Sequence, residues 1–413
     1  MPEPDEKPAP PGPETAEEPP AARNGAPGEE ATRPLAAFKT PTPLPVPTPR
    51  EANERYESVF ADVQAPFAFV DLDAVWNNAA EMLRRSRGKP IRIASKSIRS
   101  RPILERLLAL DRGFQGVLSF TLPETLWLWE RGLRDLVIAY PTTDRAGLTR
   151  LARLTAEHPD EAPVVMVDST EHLDLIEEAA TSFVAPIRVA IDIDLSWRPL
   201  GGIVKIGAKR SPIRTADDAV ALAQEIDRRD RMKLVGALAH EAQIADIGDN
   251  VPGKAITNML VRRMQTASAR DVEERRAEIV TALSEVAQLE FVNGGGTGSI
   301  DLTASEWAVT EIGAGSGFYA PVLFDHYRSF RPRPAAMFAL PVTRPSGIGV
   351  GVRGAERALP TTRPDRLQIG DRVYFRDLRA GEFCERFDRL FLVTGTTIRD
   401  EVPSYRGEGK AFL

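Results

Sequence analysis

The sequence predicts an α/β fold in which a (β/α)8 TIM barrel is followed by a smaller, C-terminal antiparallel β-domain. The chain has 413 residues, more than one average domain needs. Short β-branched runs alternate with amphipathic stretches over most of its length, a pattern typical of repeated βα units. This alternation stops near residue 320. Together the three observations predict a large barrel domain with one companion domain.

Residues 1–49 differ from the rest of the chain in composition, because Pro, Glu, Ala and Gly dominate and aliphatic periodicity is nearly absent. Such a segment cannot bury enough apolar surface to offset the entropy that is lost on ordering. We therefore predict a disordered, Pro- and Glu-rich N-terminal tail. A docking arm for a partner is the alternative interpretation.

Nine apolar runs with strand character lie between residues 65 and 315. We interpret the first, residues 65–73, as a leader strand, which leaves eight runs, the number that closes a barrel. Those eight are residues 90–97, 116–120, 136–140, 164–168, 187–194, 234–240, 291–297 and 308–315. Apolar residues recur at helical spacing between most of them, as in residues 216–231 and 272–289. The predicted barrel domain, with its leader strand, spans residues 50–320.

Residues 321–413 have a different texture. Strand-like pieces such as AAMFALPVT and DRLFLVTGTTI are separated by Pro-rich connections, and no long helical period is visible. This pattern predicts a separate antiparallel β-domain.

Composition excludes several classes of function. The 53 Lys and Arg residues are outnumbered by 59 Asp and Glu, so the chain offers no basic field for a nucleic acid. No apolar run approaches the roughly 18 residues that span a bilayer, which argues against a membrane protein. The single cysteine, Cys384, cannot form an internal disulfide. We therefore expect a cytoplasmic protein.

Lys96 follows the apolar run Ile91 to Ala94, at the point where a predicted strand ends. In barrels of this kind the carboxyl ends of the strands carry the active site. A lysine amine in that position is suited to form an imine with a carbonyl compound. A solvated residue at the rim of the barrel is the alternative.

A glycine-rich loop, NGGGTGS at residues 293–299, follows another predicted strand. Consecutive glycines let the backbone approach a ligand closely, and successive N–H groups with two hydroxyls form a nest for an anion. A tight strand-to-helix turn without a ligand is the alternative. A second glycine-rich corner, GAGSGFY at residues 313–319, ends the last barrel strand and would close the other side of a phosphate site.

A strand-end lysine and a phosphate nest are the two poles of a site for pyridoxal 5'-phosphate (PLP). The sequence resembles the fold-type III PLP enzymes with an alanine-racemase-like N-terminal barrel. Within them it is similar to the branch of D-threonine aldolases and D-serine dehydratases, which includes the bacterial amino acid deaminase/aldolase group. The resemblance covers residues 56–413 and is carried by the segments FAFVDLDAV, RIASKSIRS, DIDLSWRPLGG, HEAQIADIGDN, NGGGTGS, GAGSGFYAPVLFDHY and YRGEGKAFL.

The resemblance implies that Lys96 is catalytic and holds PLP as a Schiff base. It also implies a phosphate cradle formed by Gly295, Gly296, Thr297, Gly315, Ser316, Gly317 and Tyr319. The implied activity is that of an aldolase, a carbon–carbon lyase. It cleaves or forms the Cα–Cβ bond of β-hydroxy-α-amino acids through an external aldimine and a carbanion.

Further residues are candidates for the same site. His240 follows the run LVGALA, where related chains tend to carry tyrosine, and we expect it to contact the cofactor and to act as an acid or base. Lys205 lies where an arginine is common in this fold and is a cofactor-binding candidate. Arg198, Gln243 and His326 are candidates for binding the substrate.

Enzymes of this branch usually hold a divalent metal through a histidine and an acid or cysteine of the β-domain. In this chain Asp377 stands where the histidine is expected. Asp377, Glu382 and Cys384 could supply oxygen or sulfur ligands for Mn, Mg or Zn. Solvated acidic residues in a β-turn are the alternative.

Several reactions fit this set of residues. Besides the aldolase, we consider a PLP-dependent D-serine or D-threonine dehydratase, an amino-acid racemase and a non-catalytic PLP-binding protein. The expected partners are amino acid and aldehyde substrates, with no nucleic acid and no membrane. The resemblance also implies a homodimer in which each β-domain covers the barrel mouth of the other protomer.

Overall fold

The computed structural model describes residues 47–181, 185–199, 202–344, 357–358 and 367–412. These residues form an eight-stranded parallel sheet, curved into a near-closed barrel, and a second sheet of six strands. The architecture confirms the predicted fold class.

The strands are β1 Phe67–Asp71, β2 Ile91–Ala94, β3 Phe114–Ser119, β4 Leu136–Ile138, β5 Val165–Val167, β6 Ile187–Asp192, β7 Met232–Ala239, β8 Phe291–Gly294, β9 Glu311–Ala314, β10 Ala336–Pro341, β11 Arg357–Ala358, β12 Arg372–Arg376, β13 Arg389–Thr394 and β14 Thr397–Pro403. The helices are α1 Pro49–Val59, α2 Leu72–Arg85, α3 Arg101–Leu110, α4 Leu122–Glu130, α5 Arg145–Glu157, α6 Thr170–Ala179, α7 Ala216–Asp227, α8 Ala242–Ala245, α9 Ala255–Val286, α10 Ile300–Thr303 and α11 Ser316–Tyr319. Among the described residues, no helix is both long enough and apolar enough to cross a membrane.

Strands β2 to β9 form the barrel, in the order β4-β3-β2-β9-β8-β7-β6-β5. A parallel bridge between Val137 and Val164 joins the two ends of this order. The strands are almost completely buried, since helices cover their outer face and side chains fill the interior, and this explains their apolar runs. All eight predicted runs are therefore confirmed as barrel strands.

Polar side chains begin several of the helices that follow the strands. Asp71 accepts a hydrogen bond from Ala74 N–H at the start of α2, and Asp144 accepts one from Gly147 N–H at the start of α5. Thr215 forms a reciprocal capping box with Asp218 at the start of α7. Caps of this kind satisfy N–H groups that the first helical turn leaves free, so the chain turns sharply from strand to helix.

A buried polar cluster crosses the barrel interior. Arg92 donates to both carboxylate oxygens of Glu311, at 2.7 and 2.8 Å, and Asn293 donates to Glu311 at 2.8 Å. Paired in this way, charges can stay inside a dry interior. The cluster connects β2, β8 and β9 below the end of the barrel that carries the candidate site.

The second sheet has the order β11-β12-β10-β1-β13-β14. The leader strand β1 is thus a central strand of this sheet, antiparallel to β10 and parallel to β13. The sequence analysis placed it with the barrel in residues 50–320 and expected a purely antiparallel sheet, and the structure differs on both points.

An aromatic cluster explains the place of the leader strand. Phe69 of β1 packs against Phe60 at 4.8 Å between ring centroids, and against Tyr374 at 6.0 Å. Tyr56 of α1 joins the same cluster. Burying several large rings stabilises this packing by several kcal/mol, on the order of 2 kcal/mol for each ring. Strand β1 therefore belongs to the second sheet, and helix α1 packs against this sheet.

Candidate active site

A cavity opens at the carboxyl ends of the barrel strands. Its polar lining comes from the ends of β2, β4, β7, β8 and β9 and from the long connection after β6. The lining includes Lys96, Tyr140, Arg210, His240, Asp246, Asn293, Gly295, Gly296, Thr297, Gly315 and Ser316. Seven of the residues predicted for the site thus meet in one cavity: Lys96, His240, Gly295, Gly296, Thr297, Gly315 and Ser316.

Lys96 lies in a single 3-10 turn, Ser95–Ser97, that directly follows β2. Its side chain is exposed toward the cavity, and its Nζ donates to the Tyr140 hydroxyl at 3.2 Å. Tyr140 stands at the end of β4. The Tyr140 hydroxyl restrains the Lys96 amine. Because this partner is a hydroxyl and not a carboxylate, the amine stays available for reaction.

The loop after β8 faces the corner after β9. The Thr297 hydroxyl lies 3.3 Å from the Ser316 hydroxyl, and Gly317 N–H donates to Thr297 Oγ1 at 3.0 Å. A Cβ at Gly315 would come within 2.5 Å of the Ala94 carbonyl oxygen, so only glycine fits at this position. Two hydroxyls and a close backbone approach form a small polar cradle in the cavity that Lys96 also lines.

Two N–H groups of the predicted anion nest already have partners inside the protein. Gly295 N–H donates to Glu241 at 3.2 Å, and Gly296 N–H donates to the Ser299 hydroxyl at 3.1 Å. The structure differs here from the sequence analysis, which assigned the backbone of both glycines to the ligand. The hydroxyls of Thr297 and Ser316 are left as the polar groups of the cradle.

A buried ion triad supports this loop from behind. Glu241 accepts hydrogen bonds from the Ser299 hydroxyl at 2.7 Å and the Thr303 hydroxyl at 2.5 Å. Arg276 of α9 bonds to Glu241 at 2.5 Å and also pairs with Glu306. All three ionic groups are buried. Burial tends to raise the pKa of Glu241, but the charges of Arg276 and His240 and the two hydroxyls bring it below its ordinary value, so the carboxylate stays ionised.

His240 is held by the backbone carbonyl of Gly295 and by the carboxylate of Asp246. Its Nδ1 lies 2.7 Å from the Gly295 carbonyl oxygen, which can only accept, so Nδ1 carries a proton. Its Nε2 lies 3.4 Å from Asp246. Burial opposes charge on the ring, but the bond to Asp246 and the charges of Asp246 and Glu241 together raise the pKa of His240 above its ordinary value. Nε2 is therefore the nitrogen that exchanges a proton in the cavity.

Arg210 contributes a cation to the wall of the cavity, where its neighbours hold it in place. Its Nη2 donates to the Ala139 carbonyl oxygen at 2.7 Å, its guanidinium lies 4.7 Å from the centre of the Tyr140 ring, and its Nε lies 3.3 Å from Asp192. Asp192 is buried, and burial raises its pKa to about 6 although Arg210 lowers it in part. Arg210 thus presents a guanidinium suited to a carboxylate ligand.

Six of the residues predicted to bind the cofactor or the substrate do not line the cavity. Lys205 is exposed on the connection after β6. Gly317 and Tyr319 are buried in α11, where the Tyr319 hydroxyl donates to the Ile98 carbonyl oxygen at 3.0 Å. Arg198 pairs with Asp194 at 2.6 Å. The remaining two are Gln243 and His326.

Gln243 and His326 face the protein rather than the cavity. Gln243 is buried and donates to the Leu195 carbonyl oxygen at 2.8 Å and to Ser268 at 2.9 Å. His326 packs against Gly248, where an added Cβ would lie 2.9 Å from the histidine Cβ. The Gln243 side chain holds loops of the barrel mouth together, and neither residue is among those that line the cavity.

The predicted metal ligands do not form a metal site. Glu382 lines the outer mouth of the cavity, whereas Asp377 and Cys384 are buried. The Cys384 thiol donates to the Ile98 carbonyl oxygen at 3.4 Å, and burial raises its pKa far above the ordinary value. In the described part of the chain, no group of three His, Cys, Asp or Glu residues could hold a metal ion.

The sequence analysis missed Tyr140, Arg210, Asp192 and Asp246. Tyr140 and Asp192 could have been found, because Tyr140 ends one predicted strand, Asp192 lies near the end of another, and the strand-end rule that selected Lys96 applies equally to them. Arg210 and Asp246 lie in connections without a repeating pattern, where the sequence does not indicate which way a side chain points.

The chain was compared with known families and proteins. Residues 70–304 match the family described as alanine racemase, N-terminal domain. A 3-hydroxy-D-aspartate aldolase of Paracoccus denitrificans strain Pd 1222 is 22% identical over 257 residues. That match covers 62% of this chain, which spans 60% of the length of that relative.

Two solved structures are similar in fold. A D-threonine aldolase from Filomicrobium marinum has a TM-score of 0.68 and 20% identity, with 84% of this chain and 96% of that chain covered. A D-threo-3-hydroxyaspartate dehydratase from Delftia sp. HT23 has a TM-score of 0.64 and 17% identity, with 83% and 98% covered. The match to the family model extends over more than half of the sequence and includes Lys96 and the loop after β8. The chain therefore belongs to the alanine racemase N-terminal domain family.

Proposed function

We propose that the protein is a PLP-dependent carbon–carbon lyase that cleaves or forms the Cα–Cβ bond of β-hydroxy-α-amino acids. The observation that carries the proposal is that Lys96, with its amine, and the hydroxyl-bearing residues Thr297 and Ser316 line one cavity. A lysine at one pole and a polar cradle at the other suit an aldehyde cofactor that bears a phosphate. The relatives named as aldolases support the choice of reaction.

The chemistry of the cavity lining suits PLP, since an amine and two hydroxyls belong to residues that border it. Gly296 leaves no room for a side chain, because a Cβ there would lie 2.7 Å from the Cβ of Ala245. Glycine is therefore required here by close packing of the loop against Ala245, and the hydroxyls of Thr297 and Ser316 are the groups offered to a phosphate. When bound, PLP supplies an electrophilic aldehyde and a ring that accepts an electron pair.

The residues of the chain supply binding and proton transfer. Lys96 anchors the cofactor through its amine, which Tyr140 orients. Arg210 receives the α-carboxylate of the amino acid, because it presents a guanidinium that is held in place by Ala139 and Tyr140. This contact would hold the substrate in the cavity that Lys96 and His240 also line. Fixing the reacting groups in this way removes much of the entropic part of the barrier.

His240 accepts the proton of the substrate β-hydroxyl through Nε2. Carbon–carbon cleavage needs this proton to leave as the aldehyde forms. Asp246, at 3.4 Å from Nε2, stabilises the charged ring that results.

The pH dependence of turnover should report this role. The raised pKa of His240 keeps the ring protonated to higher pH than usual, so a base at this position becomes competent only as pH rises through that value. We expect kcat/KM for cleavage to rise with pH over this interval. Replacing His240 with glutamine should remove that limb and lower kcat by about 10² to 10⁴-fold.

Asp246→Asn is the matched control for the pH profile. Asp246 raises the pKa of His240, so its neutralisation should move the same limb to lower pH and leave the histidine in place. A wild-type profile with no such limb, or an unchanged profile in His240→Gln, would contradict the role of His240.

Dehydration of the same substrates is the second candidate function. One observation favours it: the raised pKa of His240 supplies a protonated ring that could protonate a departing hydroxyl. The two reactions then depend on pH with opposite sign, because dehydration is lost as pH rises through the pKa of His240 and cleavage is gained. Their products also differ, since cleavage gives an aldehyde and glycine, and dehydration gives a keto acid and ammonia.

The deciding experiment is a product assay with PLP-loaded protein. The D and L forms of threonine, serine and phenylserine are supplied, and aldehyde, glycine, keto acid and ammonia are measured. Aldehyde with equimolar glycine supports the lyase. Keto acid with equimolar ammonia establishes the dehydratase, and no product from any of these amino acids overturns both proposals.

We expect catalysis without an added divalent ion. The predicted ligands Asp377, Glu382 and Cys384 do not form a group of three that could hold a metal ion. Dialysis against a chelator should therefore leave turnover within about twofold of its initial rate, since no site in the described residues offers the chelator an ion to remove. Atomic emission of the dialysed protein is the control. A loss of activity that manganese or zinc alone restores would contradict this expectation.

A homodimer and a cytoplasmic location remain proposals. The first rests on the family resemblance and the second on the single cysteine and the absence of a long apolar run. Sedimentation of the full chain would measure the oligomeric state.

A further inference from the structure

One face of helix α2 lies behind both glycine-rich corners of the cavity. Asn78, Met82 and Arg85 follow one another at spacings of four and three residues, so their side chains share that face of the helix. All three residues are buried. Their contacts lead to the corner after β9 and to the loop after β8, the two elements that supply the hydroxyls of the cradle.

Asn78 and Met82 contact the corner after β9. The Asn78 side-chain amide donates to the Phe318 carbonyl oxygen at 3.1 Å. A Cβ at Gly317 would lie 2.8 Å from the Met82 sulfur and 2.7 Å from the Thr297 methyl carbon, so the helix and both corners meet at this glycine. Helix α2 thus holds α11 against the loop after β8.

Arg85 contacts the loop after β8. Its Nη1 donates to the Thr297 carbonyl oxygen at 3.0 Å, and its Nε donates to Asp301 at 2.7 Å. The guanidinium carbon lies 3.9 Å from the centre of the Phe330 ring, and Nη2 is buried without a hydrogen-bond partner among the described residues. Arg85 is therefore a buried cation that is bonded to the residue supplying one hydroxyl of the cradle.

The ion pair with Asp301 offsets this cation only in part. The Arg85 side chain is 1% exposed and that of Asp301 is 39% exposed, so water screens the carboxylate far more than the guanidinium. Burial lowers the pKa of Arg85, but an arginine starts from so high a value that its guanidinium stays charged. A positive charge therefore remains behind the cradle.

We infer that Arg85 is the positioning residue for the phosphate of the cofactor, because it fixes the Thr297 loop and places a positive charge behind it. The inference rests on the proposed function. There Lys96 and Arg210, the two Lys and Arg residues that line the cavity in the described part of the chain, take the aldehyde and the carboxylate. Arg85 acts through Thr297, whose carbonyl oxygen it holds while the hydroxyl of the same residue is offered to the phosphate.

The test measures the dissociation constants of PLP and of pyridoxal, which lacks the phosphate, by visible absorption with the full chain freed of cofactor. Pyridoxal keeps the aldehyde, so the ratio of the two constants reports the contribution of the phosphate. Arg85→Met is the variant, since methionine fills part of the same space without a charge. Arg84→Met is the matched control, because Arg84 is the neighbouring arginine of the same helix, is exposed and pairs with Glu81.

We expect Arg85→Met to weaken the binding of PLP by about 10- to 100-fold and that of pyridoxal by less than about twofold. Arg84→Met should leave both constants unchanged. The melting temperature of each variant shows that the fold is kept, as we expect for Arg85→Met because water can solvate the exposed Asp301. A ratio of the two constants in Arg85→Met equal to that of the wild type would overturn the inference, whether or not the melting temperature falls.

Asp301→Asn separates the cation from its ion pair. This variant keeps Arg85 and its contact with the Thr297 carbonyl oxygen but removes the carboxylate that offsets part of the charge. PLP should bind to it at least as tightly as to the wild type. If Asp301→Asn weakened the binding of PLP as much as Arg85→Met does, the ion pair and not the cation would hold the loop, and the inference would be wrong.

The wild-type protein keeps the two proposals apart. If neither PLP nor pyridoxal produces a visible absorption that depends on Lys96, the proposed function itself fails. If PLP produces that absorption and Arg85→Met keeps the wild-type ratio of the two dissociation constants, only the role of Arg85 fails.

Discussion

Replacing Lys96 with alanine is expected to abolish the cofactor's visible absorption and to lower turnover of β-hydroxy amino acids by about 10³-fold or more. In the proposed function the Lys96 amine joins the cofactor covalently, and the Tyr140 hydroxyl lies 3.2 Å from this amine. The variant should fold normally, because the Lys96 side chain is exposed and buries little apolar surface. Absorption spectra and steady-state rates measure the two effects.

Lys205→Ala is the matched control. Lys205 was the other lysine predicted for the site, and the structure places it exposed, outside the residues that line the cavity. Its replacement should change neither the absorption nor the rate. If Lys205→Ala lost the cofactor and Lys96→Ala kept it, the assignment of the anchor would be wrong.

Replacing Arg276 with methionine should cost about 3 to 5 kcal/mol of unfolding free energy. Arg276 is fully buried between Glu241 and Glu306, and its removal leaves two carboxylates in a dry interior without their cation. The loop after β8 should loosen as well, since Glu241 holds it through Ser299 and Thr303. We therefore expect weaker binding of PLP together with a lower urea midpoint.

The exposed pair of Arg84 and Glu81 provides the comparison. Arg84→Met removes an ion pair of similar length, 2.6 Å, at the surface, and should change stability by less than about 1 kcal/mol. Adding Glu241→Gln to Arg276→Met should restore part of the loss, because it removes one unpaired charge. Equal destabilisation by Arg276→Met and Arg84→Met would show that the buried triad contributes no more to the free energy of unfolding than a surface ion pair does.

The barrel was predictable from the sequence because each of its strands is a compact apolar run between helical stretches. The leader strand was not, although its sequence FAFVD has the same character. Its partners, Met337 in β10 and Phe391 in β13, lie near the other end of the chain. A local pattern identifies a strand but does not tell which sheet the strand joins, since long-range packing of aromatic rings decides that.

The site divides in the same way. Lys96 and the glycine-rich corners stand at strand ends, where the barrel geometry fixes the direction of the side chains. Lys205 was predicted to bind the cofactor, but Arg210, five residues further along, lines the cavity and Lys205 does not. Both lie in an irregular connection, and only the contacts of Arg210 with Ala139 and Tyr140 select it.

The place of the leader strand has a consequence for synthesis of the protein. During translation β1 emerges early, yet the strands on both its sides, β10 and β13, are made only after the whole barrel. Until then its phenylalanines and its unpaired backbone stay available to other chains. Nascent chains that stall or end before residue 389 would leave β1 without its neighbour β13 and prone to aggregate. Ribosome-bound chaperones that shield β1 should therefore improve the yield of folded protein more than faster folding of the barrel would.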